Sequence, residues 1–279
     1  MKTAVLVPSH IHYPDQLNRL DTCLDSLCSQ TVVPDIFVSI SFDNDTYKHE
    51  FSKILRRYPT VKFKLSAQQK FQMEHLFTLS RLISDYDMIM FCDDDDTYLS
   101  NRVEMFVKAF TLTKENCEQT GFKLGGVREV EDPNDNNESP EYWAYGIPQS
   151  LLTTFFNRIN GYEDLMRHKF ADMYLRNYLK RTNGTSIRFC VLPPDESGRT
   201  LYQYTIDNPN SICAKLSTKY KTAKETAIAA RNQLTLGLMC NSDDLIKEKM
   251  RAISIPLLKL NTIVPDTDRI KALIQVLYV

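Results

Sequence analysis

The chain has 279 residues, 43% of them hydrophobic, and a formal net charge of −1. That is apolar material for one large domain, or one domain with an appendage, and the near-neutral balance gives no basic field for nucleic acid. Nowhere does an apolar run approach the ~18 residues of a membrane span, and the opening run Thr3–Val7 is too short for a signal peptide.

The elements follow in chain order. Thr3–Val7 reads as a buried strand, and Pro14 and Asp15 open a helix with Leu17, Leu20, Leu24 and Leu27 on one face. Ile36–Ile40 is a second strand, ending in the polar turn Ser41–Asp45. A helix over 47–57 and a strand over 61–65 come next, then a helix carrying Met73, Leu76, Phe77, Ser80 and Ile83. The apolar strand Met88–Cys92 runs into four consecutive aspartates, Asp93 to Asp96, and Val103, Phe106, Val107 and Phe110 stripe the helix beyond. Strand–helix alternation with short connections predicts a parallel α/β sheet with crossover helices. Past residue 120 the rhythm loosens into a polar loop at 131–141, short strands and a helix over 171–181. Residues 214–279 read as several helices interrupted at Pro256 and Pro265, a possible surface for a homodimer. The seven cysteines are an odd number without a CxxC pair, which predicts reduced thiols. Sequons at Asn44, Asn137 and Asn183 are read as coincidental.

Adjacent carboxylates repel one another, and a divalent cation with its preference for hard oxygen ligands offsets that repulsion. In open parallel sheets ligands bind at the carboxyl ends of strands, where this run stands. The expectation is a metal-assisted phosphate or nucleotide site, against a plain solvated acidic loop.

Residues 3–180 carry a family resemblance. Thr3–Thr31 (TAVLVPSH…LNRLDTCLDSLCSQT) resembles the opening of family 2 glycosyltransferases of the GT-A fold. Phe42-Asp43-Asn44-Asp45 stands where that family has an Asp-rich turn against the nucleotide base, and Asp93–Asp96 matches its DxD element. Asn160-Gly161-Tyr162 followed by Ala171–Leu175 is similar to its later Gly-Gly-Phe…Glu-Asp-x-x-Leu segment.

The resemblance implies a GT-A domain over 1–213, with 1–115 binding a nucleoside-diphosphate sugar and 116–213 forming the acceptor side, plus a helical extension over 214–279. It implies transfer of a sugar, with inversion, from a donor that is uridine-based to a hydroxyl of a glycan acceptor, with Mn²⁺ or Mg²⁺ as cofactor. Asp95 is assigned to the metal, Asp93 to ribose or metal, and Asp94 to a sugar hydroxyl. Pro8, Ser9, Asp43 and Lys70 complete the donor side. Asp43 would accept from a uracil N–H, with a turn-capping aspartate as its plainer reading. Asp172, at a helix start, is the expected general base, with an ordinary N-cap and the neighbours Glu163 and Asp164 as alternatives. Trp143 and Tyr145 are acceptor-side candidates, because aromatic faces stack on sugar rings.

There are departures from the pattern. Lys70, Gln72 and His75 stand where the family carries an Arg or Arg-Asn pair, Ala171 replaces an acidic residue, and no histidine follows His168 as a late metal ligand. His10 and His12 would suit a metal only if both lay on one side of a strand; in a loop they would contact solvent or substrate. Without an anchor, the expected place is the cytoplasm, of a bacterium or of the host of a large DNA virus.

Two other readings compete. Asp93-x-Asp95-x-Thr97 also spells the nucleophile motif of haloacid dehalogenase-type phosphatases, with Ser242-Asp243-Asp244 as a distal acidic pair. A non-catalytic nucleotide- or glycan-binding relative is the other. A sugar nucleotidyltransferase would require a glycine-rich loop that Val7-Pro8-Ser9-His10 does not supply.

Overall fold

Strand β1 (Thr3–Ile11) is buried at every residue except the half-buried His10, as a central parallel strand covered on both faces requires. Helix α1 (Asp15–Cys28) turns Leu17, Leu20, Cys23, Leu24 and Leu27 inward, and each such leucine contributes about 1.5–3 kcal/mol by leaving water. The computed structural model describes residues 1–130, 141–167, 171–182, 187–195, 198 and 200–205. The chain divides into two compact units, Met1–Ile206 and Asp207–Val279. The 131–140 part of the predicted loop, the boundary expected at 213, the helical extension with its homodimer surface, His168, and the Ser242–Asp244 run lie outside the described residues.

Strand β2 (Asp35–Phe42) pairs parallel with β1 and is followed by α2 (Asp45–Arg57) and β3 (Lys62–Leu65), parallel to β2. Helix α3 (Gln72–Ser80) packs on β1 and β2 and leads to β4 (Met88–Phe91), parallel to β1 on its other side. The two-residue β5 (Thr97–Tyr98) precedes α4 (Arg102–Thr120) and β6 (Lys123–Glu129). A 3₁₀ turn at Tyr142–Ala144 enters β7 (Tyr145–Pro148), followed by α5 (Gln149–Ile159), the short α6 (Glu163–Met166) and α7 (Asp172–Thr182). Strands β8 (Ile187–Leu192) and β9 (Tyr202–Gln203) complete the order.

Seven strands form one sheet in the order β3-β2-β1-β4-β7-β6-β8, while β5 and β9 make a separate antiparallel pair. The α/β architecture is as predicted, with one antiparallel strand: β7 runs against both β4 and β6. Its close fit needs glycine on both sides. Gly126 has φ of 126°, and a Cβ there would lie 2.1 Å from Gly146 O.

Three differences from the sequence reading bear on function. Strand β1 continues four residues past Val7, to Ile11, because β2 keeps pairing with it through Ile11↔Phe42. Helix α5 has no counterpart in the predicted elements; its core residues Leu151, Leu152, Phe155, Phe156 and Ile159 are spaced for a helix but follow a strand with only Pro148 as boundary. The pair β5–β9 joins segments about a hundred residues apart, which no local pattern encodes.

Candidate active site

The chain builds outward from β1 to β2 and β3, then crosses back to place β4 on the other side of β1. That reversal opens a crevice at the carboxyl ends of β1 and β4, where open α/β sheets bind ligands. The pairing Leu6↔Phe91, carried three residues onward, sets Ser9 opposite Asp94. Ser9 Oγ donates to Asp94 Oδ2 at 2.6 Å.

The four aspartates have different surroundings. Asp93 Oδ1 accepts from Gln72 Nε2 at 2.8 Å and from the Tyr142 hydroxyl. Asp96 is buried, and both its oxygens are taken: Oδ2 by the Tyr202 hydroxyl and Oδ1 by Thr205 N–H, each at 2.7 Å. Asp93 N–H in turn donates to the Tyr202 hydroxyl at 3.0 Å. Asp96 therefore fastens the loop to the β9 segment, and Asp93, Asp94 and Asp95 stay half-exposed. Beneath the loop Cys23 Sγ lies 3.5 Å from Asp93 O and 3.6 Å from Cys92 Sγ; the described cysteines 23, 28, 92, 117 and 190 are all unbridged.

Burial and mutual repulsion hold Asp93, Asp94 and Asp96 toward the neutral form. Asp93 is raised well above the usual range, first by burial, then by the charge of Asp96, with the Tyr142 hydrogen bond opposing. Burial, then Asp95, pushes Asp94 up to about 7. Asp96 is pushed up to about 6 by burial, against the hydrogen bonds from Thr205 and Tyr202. An acid raised in the folded state weakens folding as pH climbs from its unfolded toward its folded pKa. Asp94→Asn is accordingly expected, in EDTA, to melt above wild type by a smaller margin at pH 5 than at pH 8. Parallel pH dependence of the two melting temperatures would contradict that environment for Asp94.

Asp172 is the first residue of α7, and α7 packs on the 3₁₀ turn that carries Tyr142. The Asp172 charge is felt at both Asp93 and Tyr142, so Asp172 lies within electrostatic reach of the aspartate loop. Arg176 Nη1 donates to Glu141 Oε1 at 2.7 Å and fixes the same helix to the turn. Glu163 is exposed and pairs with Arg167 at 3.6 Å; the Asp164 side chain lies outside the described residues.

On the β2 side, Asp43 does not cap the helix. Asn44 does, accepting from Tyr47 N–H at 3.1 Å. Asp43 instead meets two histidines, with Oδ1 2.9 Å from His10 Nε2 and Oδ2 2.7 Å from His12 Nδ1. His10 Nδ1 is 2.6 Å from Ser41 Oγ, which is 3.0 Å from His75 Nε2, and His75 Nδ1 is 2.8 Å from Ser39 Oγ. Burial drives His75 down to about 3, leaving a neutral imidazole in this chain of hydrogen bonds. Pro8 is buried in β1, and Lys70 Nζ donates to Thr78 Oγ1 at 2.8 Å on α3.

The two acceptor-side candidates are core residues. Trp143 is 9% exposed and stacks on Tyr202 at 4.1 Å; Tyr145 is 2% exposed and meets Phe189 edge-on. Neither offers a ring face to solvent. Tyr204 does: it is 50% exposed, with its ring 18° from the Trp143 plane.

Sequence reasoning missed Gln72 and Tyr142 as partners of Asp93, and Tyr202, Thr205 and Tyr204 altogether. Tyr142 adjoins the lone tryptophan and could have been paired with it; Tyr202 and Thr205 carry no local signal. No described helix is long and apolar enough to cross a membrane.

No family model and no curated protein sequence matches the chain. Among solved structures, S. aureus TarS 1-349 in complex with UDP superposes with a TM-score of 0.52 at 14% identity, over 96% of this chain and 73% of that one. The longer S. aureus TarS structure gives 0.50 at 14% identity over 95% of this chain, which spans 44% of its length. A cytidylyltransferase from Leptospira borgpetersenii reaches 0.48 at 13% identity over 88% and 97% of the two chains. What is shared with TarS is the fold: the mostly parallel seven-stranded α/β architecture of this chain is GT-A-like.

Proposed function

We propose that the protein is an inverting glycosyltransferase that moves a sugar from a nucleoside-diphosphate sugar, with uridine as the base, to a hydroxyl of a glycan acceptor. The observation that carries this reading is the convergence of Asp93–Asp95, at the switch point beside β1, with Asp172 at the start of α7. A protein of like fold, TarS, has been crystallised with UDP, which supports the choice of base.

The donor set suits a hard divalent cation: three half-exposed carboxylates, with Asp96 already spent on Tyr202 and Thr205. Asp95 and Asp93 would hold Mn²⁺ or Mg²⁺, which when bound supplies Lewis-acid stabilisation of the departing diphosphate. Asp94, oriented by Ser9, receives a sugar hydroxyl. Asp43 lines the base side, with the buried Pro8 and Ser9 behind it, and Lys70 brings positive charge to the diphosphate. Gln72 and Tyr142 fix the Asp93 rotamer from the protein side. Asp172 takes the proton from the acceptor hydroxyl as that oxygen attacks the anomeric carbon and the carbon–phosphate oxygen bond breaks. Trp143 and Tyr145 support the acceptor side from within, and Tyr204 over Trp143 presents the exposed ring.

The test is calorimetric titration of UDP, GDP, ADP and TDP, each with Mn²⁺ and with EDTA. UDP is expected to bind with Mn²⁺, to bind far more weakly in EDTA, and to lose its Mn²⁺ dependence in Asp95→Ala. Binding of no nucleotide, together with Mg²⁺-dependent hydrolysis of a phosphomonoester, would turn Asp93 into a phosphatase nucleophile and end this reading.

A further inference from the structure

Two histidines and an aspartate cluster on the β2 side of β1, and their arrangement follows from strand register. His10 pairs with Ser41 at the end of the parallel β1–β2 ladder. Alternate residues of a strand share a face, so His12 lies on the side of His10, and Asp43 on the side of Ser41. Asp43 N–H donates to Ile11 O at 3.0 Å, which carries the pairing one step past the ladder. The condition under which the two histidines would suit a metal is thereby met: β1 carries His10 and ends at Ile11, and His12 follows directly, with its ring 4.1 Å from that of His10.

We propose that His10 Nε2, His12 Nδ1 and the Asp43 carboxylate form a binding site for a first-row transition ion of the Zn²⁺ or Co²⁺ type. The three ligand atoms lie within 4.8 Å of one another. Two nitrogens and one carboxylate, with positions left for water, are a borderline donor set that selects such ions over Mg²⁺ and Ca²⁺. Ligands about 2.1 Å from a tetrahedral ion stand about 3.4 Å apart. His10–Asp43 and His12–Asp43, at 2.9 and 2.7 Å, need open by only about 0.5 and about 0.7 Å. His12 and Asp43, with side chains 48% and 41% exposed, have the freedom to do so.

The surroundings of His10 strengthen the assignment. A metal-bound imidazole ordinarily donates its other ring N–H to a fixed acceptor, which sets the tautomer. His10 Nδ1 has Ser41 Oγ at 2.6 Å, and Ser41 is held in turn by buried His75. With no ion, Asp43 accepts N–H from both histidines. With the ion, the His10 proton moves to Nδ1 and is accepted by Ser41 Oγ, and the His12 proton moves from Nδ1 to Nε2. Ser41 then donates to His75 Nε2, and His75 donates from Nδ1 to Ser39. The neutral Ser39–His75–Ser41 relay can run in either direction, so the tautomer change creates no buried charge. The site shares Asp43 with the donor side of the transferase reading, and its metal binding requires no nucleotide.

The test is Co²⁺ titration of the full chain in the absence of nucleotide, followed by calorimetry and visible absorption. Wild type is expected to bind Co²⁺ with visible bands and without a thiolate charge-transfer band, the sign that the cysteines are not the ligands, with the tighter phase of binding at this site and any weaker phase at the aspartate loop. Outer-sphere partners alone are worth about 10–100-fold in affinity, so His12→Ala and Asp43→Asn are each expected to weaken binding at least ~10-fold. Both positions are exposed, so folding is not at stake. Asp95→Ala is expected to keep the tighter phase as wild type does, which separates this site from the aspartate loop. Unchanged affinity in His12→Ala and Asp43→Asn, absence of Co²⁺ binding in wild type, or loss of it in Asp95→Ala would each overturn the proposal.

Discussion

Asp172→Asn is expected to lower turnover by about 10²–10⁴-fold, the usual contribution of a positioned general base, while leaving Mn²⁺-dependent UDP binding in place. The amide keeps the size of the carboxylate and remains a good residue for a helix start, so α7 should persist. Its charge adds to the repulsion that raises Asp93; removing it favours the ionised loop and leaves donor binding equal or tighter. The expected signature is a fall in kcat with little change in donor KM. Wild-type turnover would remove the base from Asp172. Loss of turnover and UDP binding together would make Asp172 part of the donor site.

The largest stability effect is expected at Arg102. The pair Arg102–Glu129 is 0% and 1% exposed, with Nε 3.0 Å from Oε1. The guanidinium also donates to Trp143 O at 2.9 Å and lies over the rings of Tyr98, Phe106 and Tyr202 at 4.1, 4.6 and 5.1 Å. Arg102→Met strands a buried carboxylate, and breaking such a pair on one side costs about 3–5 kcal/mol. Burial already raises Glu129 above its ordinary value, and without Arg102 the ionised form is penalised further. Below that raised pKa Glu129 is protonated in the folded state, so the loss should shrink as pH falls toward 5 and be greatest near pH 8. Urea unfolding at both values would show it, and Arg102→Met with Glu129→Leu should recover most of the loss. Equal destabilisation at the two pH values would mean that packing on the aromatic rings, and not the carboxylate, sets the cost.

Legibility in the sequence tracked the range of the contacts. Strands β1, β2 and β4 and helices α1 and α4 announce themselves by apolar period, and the acidic run marks the end of β4. Ser9 and Asp94 were both named, and they meet, because strand ends at a switch point are short-range consequences of the parallel order. The register past Val7 was not legible: His10 and His12 alternate with Ile11 as strand residues do, yet polar side chains at a strand end read as a loop. Arg102 was hidden for a similar reason, a charge at the start of a helix looking like a solvated residue. The partners of Asp96 depend on chain closure over a hundred residues, and Trp143 reads the same whether it faces a sugar or packs on Tyr202.

The bond from the Tyr202 hydroxyl to Asp96 spans 106 residues. This has a consequence for biogenesis. On the ribosome the four parallel strands are complete once Phe91 has been added, but at about 5–20 residues per second roughly 5–20 s pass before Tyr202 follows. Through that interval the nascent chain carries β1–β4 and the aspartates without the brace that ties down Asp96. The order of the Asp93–Asp96 loop is then a late event in synthesis, set only when Tyr202 and Thr205 have been added.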